Sequence, residues 1–500
     1  METSYKAYKA LLNKLSDINY SAAVLGWDQE VYMPTKGADR RAQQLSTLSG
    51  ISHELFTAET TGTLLEALAK DASLNEEEQA NVKETARAYK DSKKYPTEFV
   101  MLMSRTTSEA FQAWDKARKS NDFSVFAPFL QKLIDLKKHE CKLLGYTEHP
   151  YDALLDQFER GMTCKQLDTL FDEVKRELVP LVKQIAACKQ NEHAFLHLHF
   201  DKQKQWDFGI DLLKQMQYDF ESGRQDVSSH PFTTSFSAED VRVTTRINET
   251  DLSEMIWSCI HEGGHALYEQ GLKADNYGLP SGEAVSLGIH ESQSRMWENQ
   301  VGRSLAYWKK NYPTLQGYFP EQLKTISVED FYKAINVVQP SFIRTSADEL
   351  TYHFHIIIRY ELEKALIEGS LEMKDLPAAW NKKYKEYLGI DVPSDAMGVL
   401  QDIHWSHGGF GYFATYSLGS FYAAQFFAQA QKDIPGLEAQ IEKGELSNLL
   451  QWLRSTIHQH GKRYNPNELC KRVTGEELRF SHFLAYAKNK FLPLYGIDNK

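Results

Sequence analysis

Tyr5, Tyr8, Leu11, Leu12 and Leu15 recur at three- and four-residue spacing, the period of a helix with one apolar face. The same period runs through 62–94, with a break near Ser73, and returns in 105–119, 126–144, 166–190 and 203–221. A strand buries every second residue, so this pattern argues for a helical array with short connections over residues 1–220. Proline usage agrees. The chain has 15 prolines in 500 residues, below the usual ~5%, and Pro34, Pro96 and Pro128 sit at or near element edges, where proline is tolerated.

Residues 229–248, SHPFTTSFSAEDVRVTTRIN, break the pattern. Val241, Val243 and Ile247 alternate with Arg242, Thr244 and Arg246, a period-two, β-branched signature. A short hairpin or small sheet is expected here, and the Val241–Ile247 strand could offer an edge to an extended peptide. Helical periodicity then resumes over 250–272, 283–310, 329–338, 341–368, 373–388, 416–432 and 445–460. The expected fold is mostly α, with a small β element beside the helix at 250–272.

Charge narrows the function classes. The 57 basic and 68 acidic residues give a net charge of −11. No dense Lys/Arg block marks a nucleic-acid face. Nowhere do 18 apolar residues run together, so no membrane partner is expected. The five cysteines (Cys141, Cys164, Cys188, Cys259, Cys470) are scattered and form no C-x-x-C pair, which fits free thiols in a reducing compartment. The N-terminus shows no apolar signal core, and a cytoplasmic location is expected.

The segment with chemistry is His261-Glu262-Gly263-Gly264-His265. Helix positions i and i+4 project to nearly one face, so both imidazoles can bind one zinc, and Glu262 beside the first can serve as general base toward a water. Two adjacent glycines each cost about 1 kcal/mol inside a helix. That cost makes sense where a substrate or a neighbouring backbone must approach. A catalytic zinc wants three protein ligands and an open position. Glu291, Glu283 and Glu298 compete for the third place on spacing alone, while Cys259 turns to another face. Two imidazoles, a carboxylate and a glutamate base suit metal-assisted amide hydrolysis. The glycine-rich segment 404–419, HWSHGGFGYFATYSLG, offers His404, His407, Tyr412 and Tyr416 as donors for a developing oxyanion.

These residues resemble one family, the carboxypeptidase Taq-type thermostable metallocarboxypeptidases. The resemblance covers nearly the whole chain. It rests on His230-Pro231-Phe232, the D-x-R-x-T of Asp240 to Thr244, the H-E-x-x-H of 261–265, His290-Glu291-Ser292-Gln293, the I-R-x-x-A-D of Ile343 to Asp348, and the G-x-x-Q-D-x-H-W of Gly398 to Trp405. Residues 33–45 and 151–163 also look like family segments. The resemblance selects Glu291 as third metal ligand and implies zinc, or sometimes cobalt, one ion per chain. It implies release of single C-terminal residues from peptides, with broad specificity and poor tolerance of proline. It also implies a large helical zincin-like fold with a deep cleft, and a homodimer. In that frame residues 1–220 form an N-terminal helical region lining or covering the cleft. Residues 221–500 form the catalytic region, and the two make one continuous peptidase domain.

A carboxypeptidase must hold a free α-carboxylate, which calls for an arginine. Arg242, Arg344 and Arg359 are candidates, and motif membership favours Arg344. His230 joins the substrate-binding candidates through its motif. Two alternatives stay open: an endo-acting zinc oligopeptidase, and a non-catalytic helical protein stabilised by zinc. The His193, His197 and His199 cluster lacks acidic or cysteine partners in sequence, His353 and His355 read as core or cleft residues, and Glu76-Glu77-Glu78 reads as a solvated helix face.

Overall fold

The structure is a computed structural model and describes residues 2–228 and 230–498. Helices dominate, with one three-stranded sheet. The chain divides into two compact units built from interleaved segments. The first comprises Met1–Ser92, Glu192–Ile335 and Tyr422–Leu478, and the second Lys93–Asn191, Asn336–Phe421 and Arg479–Lys500. The expected boundary at residue 220 follows chain order, whereas these units do not. Among the described residues no helix is long and apolar enough to cross a membrane.

In the first unit, the opening helix Glu2–Val31 buries Tyr8, Leu12 and Leu15 against Leu65, Leu68, Leu74, Val82 and Leu279. Each such side chain contributes roughly 1.5–3 kcal/mol by leaving water, and the Tyr8 hydroxyl meets Thr85 Oγ1 at 2.8 Å. The helical stripe at 62–94 breaks between Leu68 and Glu76. There Asn75 Oδ1 accepts from the amides of Glu77 and Glu78 while Glu78 reaches back to the Asn75 amide, a capping box. The acidic run is therefore more than a solvated face. Glu76 and Glu77 also pair with Arg463 and Lys273. A helix at Ala38–Thr57, absent from the sequence expectation, follows the first.

The sheet also belongs to the first unit. Its strands are β1 (Gly223–Val227), β2 (Thr233–Ser237) and β3 (Asp240–Thr245). Their order is β1-β3-β2, with β3 parallel to β1 and antiparallel to β2. Val241 and Val243 are buried, as their alternation predicts. The expectation that the Val241–Ile247 strand supplies an edge is corrected: β3 is paired on both sides, and the edges are β1 and β2.

Two long predicted helices are divided. Ser286 accepts from the Ile289 amide, so the helix begins at Leu287, runs to Arg295, continues as a π-helical turn over Met296–Gly302 and restarts at Leu305 behind a Ser304 cap. In the second unit, Asp348 accepts from the amides of Leu350 and Thr351 and delays the helix expected from 341 until Tyr352–Glu368. Side chains that bind their own backbone compete with helix extension. The second unit also holds Thr97–Ser120, Ala127–Leu144, Cys164–Ala186, Leu376–Leu388 and Phe480–Leu494.

Candidate metal centre

Asp251 caps the helix Leu252–Glu269 by accepting from the Ser253 amide at 2.8 Å. Met255, Ile256, Cys259, Ile260, Ala266 and Leu267 anchor its apolar faces. His261 and His265 then stand one turn apart, ring centroids 4.9 Å from each other. The helix Leu287–Arg295 packs across them. A Cβ on Gly264 would lie 2.7 Å from Ser294 Cα and 2.9 Å from the Gln293 carbonyl oxygen. Only glycine permits this backbone approach, which accounts for one of the two costly glycines. A Cβ on Gly263 would meet only the side-chain ends of Leu213 and Met216.

The approach brings one oxygen of Glu291 to 3.7 Å from His261 Nε2 and 3.4 Å from His265 Nε2. All three donor atoms lie within 4.8 Å of one another. Tetrahedral zinc with bonds of 2.0–2.2 Å needs neighbouring ligand atoms about 3.4 Å apart, so the donor set fits such an ion. The other competitors for the third place are engaged elsewhere. Glu283 pairs with Lys462 at 2.5 Å, and Glu298 meets the far side of the His261 ring, at Nδ1, 2.9 Å away. Cys259 Sγ points toward Gln225 and Thr245.

Around the donors lies a web of charge. Arg295 donates to Glu291 Oε1 at 2.7 Å and to Glu298 at 3.2 Å, and Arg303 donates to Glu298 at 3.1 Å. Burial works against ionisation of Glu291 and Glu298, yet Arg295 and His261 hold both well below the ordinary glutamate range, with His265 adding to this at Glu291 and Arg303 at Glu298. Burial also opposes charge on His261, but Glu291 and Glu298 raise its pKa. Burial, with His290 adding to it, drives His265 down to about 3. Burial pushes Glu262 above the ordinary range, against the pull of His261 and of Thr233. Thr233 Oγ1, on β2, lies 2.7 Å from Glu262 Oε2. Glu262 thus feels the charge of His261 and of Glu291, with its own carboxylate held by a neighbouring strand.

A second group, His149, Asp152 and Cys164, also gathers ligand-type atoms. Its lone pairs serve the backbone: Asp152 accepts from the Cys164 amide at 2.7 Å and the His149 amide at 3.2 Å, and His149 Nδ1 accepts from the Tyr151 amide at 3.1 Å. This is a helix-start architecture. His193 and His197 meet edge to face, ring centroids 5.8 Å apart, and His197 faces Asp251 at 3.4 Å.

Residues 7–491 match the family described as Carboxypeptidase Taq (M32) metallopeptidase. The chain belongs to the M32 family. Carboxypeptidase 1 of Bacillus subtilis is 41% identical over 501 residues, covering 99% of this chain and 99% of that protein. Among solved structures, the chain is similar to the M32 carboxypeptidase of Deinococcus radiodurans, with a TM-score of 0.97, 39% identity, and coverage of 99% of this chain and 100% of that one. It is also similar to a chain called CHT, with a TM-score of 0.97, 58% identity, and coverage of 98% and 99%. The protein is accordingly a metallocarboxypeptidase, a peptide hydrolase.

The other candidates of this M32 carboxypeptidase fall into separate groups. In the first unit, His230 is exposed, and Arg242 forks onto Asp240 at 2.8 Å with its guanidinium 4.4 Å from the Trp27 ring. In the second unit, Arg344 is buried, donates to Asp402 at 3.2–3.3 Å and to the Tyr352 hydroxyl at 3.3 Å, and lies 5.1 Å from the Tyr416 ring. Arg359 is 0% exposed, shares Asp402 at 2.8 Å and stacks on Trp405, which makes it a brace behind Asp402. Tyr416 donates to Tyr412 at 3.3 Å. His404, pushed down to about 3 by burial with Arg344 adding to it, packs on Phe413. His407 is exposed beside Phe111. His353 and His355 are buried core residues.

The glycine-rich segment is tethered. Gly411 has φ +88°, and a Cβ there would meet the Leu154 backbone at 2.6 Å. Its amide donates to Glu363, which also accepts from Tyr151 at 2.6 Å and Trp405 at 2.8 Å. Several residues around the metal centre had no assigned role in the sequence reading: Thr233, Ser235, Glu269, His290, Arg295 and Arg303. One signal was present, since His290 directly precedes Glu291 in the quoted H-E-S-Q segment.

Proposed function

We propose that this enzyme removes single C-terminal residues from peptides, using one zinc ion held by His261, His265 and Glu291, with cobalt as the alternative metal. The observation that carries the reading is the convergence of two imidazole nitrogens and one carboxylate oxygen at zinc spacing, with the Glu262 carboxylate alongside. When bound, the ion supplies Lewis-acid polarisation of the scissile carbonyl. Glu262 takes the proton of the attacking water at its carboxylate and passes it to the leaving amine. Its raised pKa suits a group that must both accept and release a proton. Thr233 orients that carboxylate.

Arg344 is the proposed holder of the substrate α-carboxylate. Its Nη1 contact to Tyr352 is long enough to yield to a carboxylate oxygen. His404, His407, Tyr412 and Tyr416 are proposed as donors toward the substrate and the developing oxyanion, with His230 and Arg242 as further peptide contacts. The β2 edge replaces β3 as the strand that would pair with an extended peptide. Specificity is proposed to be broad and poor with proline, and the enzyme to be a cytoplasmic homodimer. The five free cysteines support a reducing compartment.

The test is a digest of one peptide in two forms, with a free and with an amidated C-terminus, before and after chelation. The proposal expects stepwise loss of terminal residues from the free form alone, abolished by the chelator. Internal cleavage of the amidated form would replace it with the endo-acting oligopeptidase.

A further inference from the structure

The two imidazoles are steadied in different ways. His261 Nδ1 meets the Glu298 carboxylate directly at 2.9 Å. His265 Nδ1 instead meets Nδ1 of a second imidazole, His290, at 2.5 Å. His290 Nε2 lies 2.7 Å from Glu269 Oε1, and Glu269 Oε2 accepts from Ser235 at 2.8 Å. The carboxylate can only accept, so the facing Nε2 of His290 carries a hydrogen. A neutral His290 then presents a lone pair at Nδ1, which fits a hydrogen on His265 Nδ1 and leaves the His265 Nε2 lone pair toward Glu291. The same two helices supply every imidazole in the chain of contacts. Glu269 is one turn beyond His265, and His290 directly precedes Glu291.

We propose that His290 is a positioning residue that fixes the tautomer and ring orientation of His265 for metal binding, with Glu269 and Ser235 fixing His290 in turn. This rests on the ligand set proposed above. Partners that hold a ligating imidazole typically account for a 10- to 100-fold effect on metal affinity. Here the direct partner is itself an imidazole, so its own orientation must be secured by a carboxylate.

The test is zinc affinity, measured by competition with a chromogenic chelator on the full chain. The variants are His290→Ala, His290→Asn and His290→Gln. An asparagine oxygen can stand where Nδ1 stands, whereas a glutamine nitrogen reaches the place of Nε2. Expected are losses of about 10- to 100-fold for the alanine and glutamine variants, with asparagine recovering most of the affinity. Asparagine no better than glutamine, or alanine binding zinc as the parent does, overturns the proposal. If the alanine variant does not fold, judged by circular dichroism, the asparagine-against-glutamine comparison decides. His261→Ala and Glu291→Ala serve as ligand controls. Retention of zinc in both would sink the ligand reading itself, whereas their loss of zinc beside a parent-like His290→Ala would sink only the positioning role.

Discussion

Glu298 Oε2 lies 2.9 Å from Nδ1 of His261, across the ring from the Nε2 that faces Glu291. On the proposed ligand set the carboxylate therefore steadies a ligating imidazole from its far side and does not itself face the ion. The π-helical turn Met296–Gly302 carries Glu298, and such turns recur at functional sites because they re-aim side chains on an otherwise regular helix. Replacing Glu298 with alanine should weaken zinc binding by about 10- to 100-fold, while Glu291→Ala should cost far more because it deletes a donor atom. Chelator competition on both variants ranks them, and equal losses would assign Glu298 to the ion as well.

Glu262 should separate chemistry from metal binding. Glu262→Gln keeps the shape but cannot take the water's proton. Turnover should fall by about 100-fold or more while zinc content, read by elemental analysis, stays at that of the parent. Parallel loss of zinc would make Glu262 a ligand. Thr233→Val removes the hydroxyl at 2.7 Å and should lower kcat by a smaller factor without changing zinc content.

The glycine pair offers a comparison within one motif. Gly264→Ala forces a methyl against the backbone of Ser294, which can yield only if the helix bearing Glu291 moves. Overpacking of this kind costs typically about 1–3 kcal/mol, and here it should also reduce zinc affinity. Gly263→Ala meets the side-chain ends of Leu213 and Met216, which can rearrange. Thermal midpoints and zinc titrations should therefore show the larger loss for Gly264→Ala, and the reverse order would refute the close-packing account.

The helical character and the H-E-x-x-H helix were readable because both follow from a 3.6-residue period that any local stretch displays. Other features depend on partners far away in the chain. Spacing keeps Glu283 and Glu298 in competition with Glu291, since chain distance does not say which turn of a returning helix faces the motif or that a π-turn shifts the register by a residue. The strand at 240–245 is recognisable by alternation, but whether it lies at a sheet edge depends on β1 and β2, one of which pairs from 18 residues earlier. The early start expected at 341 failed at Asp348, whose carboxylate binds amides that the helical pattern counted as helical. The role of His290 is not legible in its motif because its partner, His265, is 25 residues away.

Asp402 makes a pH prediction with a definite sign. It is buried between Arg344 and Arg359, with guanidinium contacts of 3.2 Å and 2.8 Å. Burial alone would raise its pKa, yet the two arginines hold it well below the usual aspartate range. The folded protein therefore keeps this carboxylate ionised at a pH where the unfolded chain, with a pKa near ~3.9, already binds a proton. The stabilisation is fully present above about pH 4 and is lost as pH falls from there toward the folded value. Asp402→Asn leaves two buried guanidiniums without their shared anion, a change of about 3–5 kcal/mol for a broken buried pair. Its thermal midpoint should lie well below the parent's at neutral pH. The gap should stay constant down to about pH 5 and narrow below about pH 4. A gap that widens on acidification would mean that Asp402 is protonated in the folded state at neutral pH, and that the two arginines are neutralised by other groups.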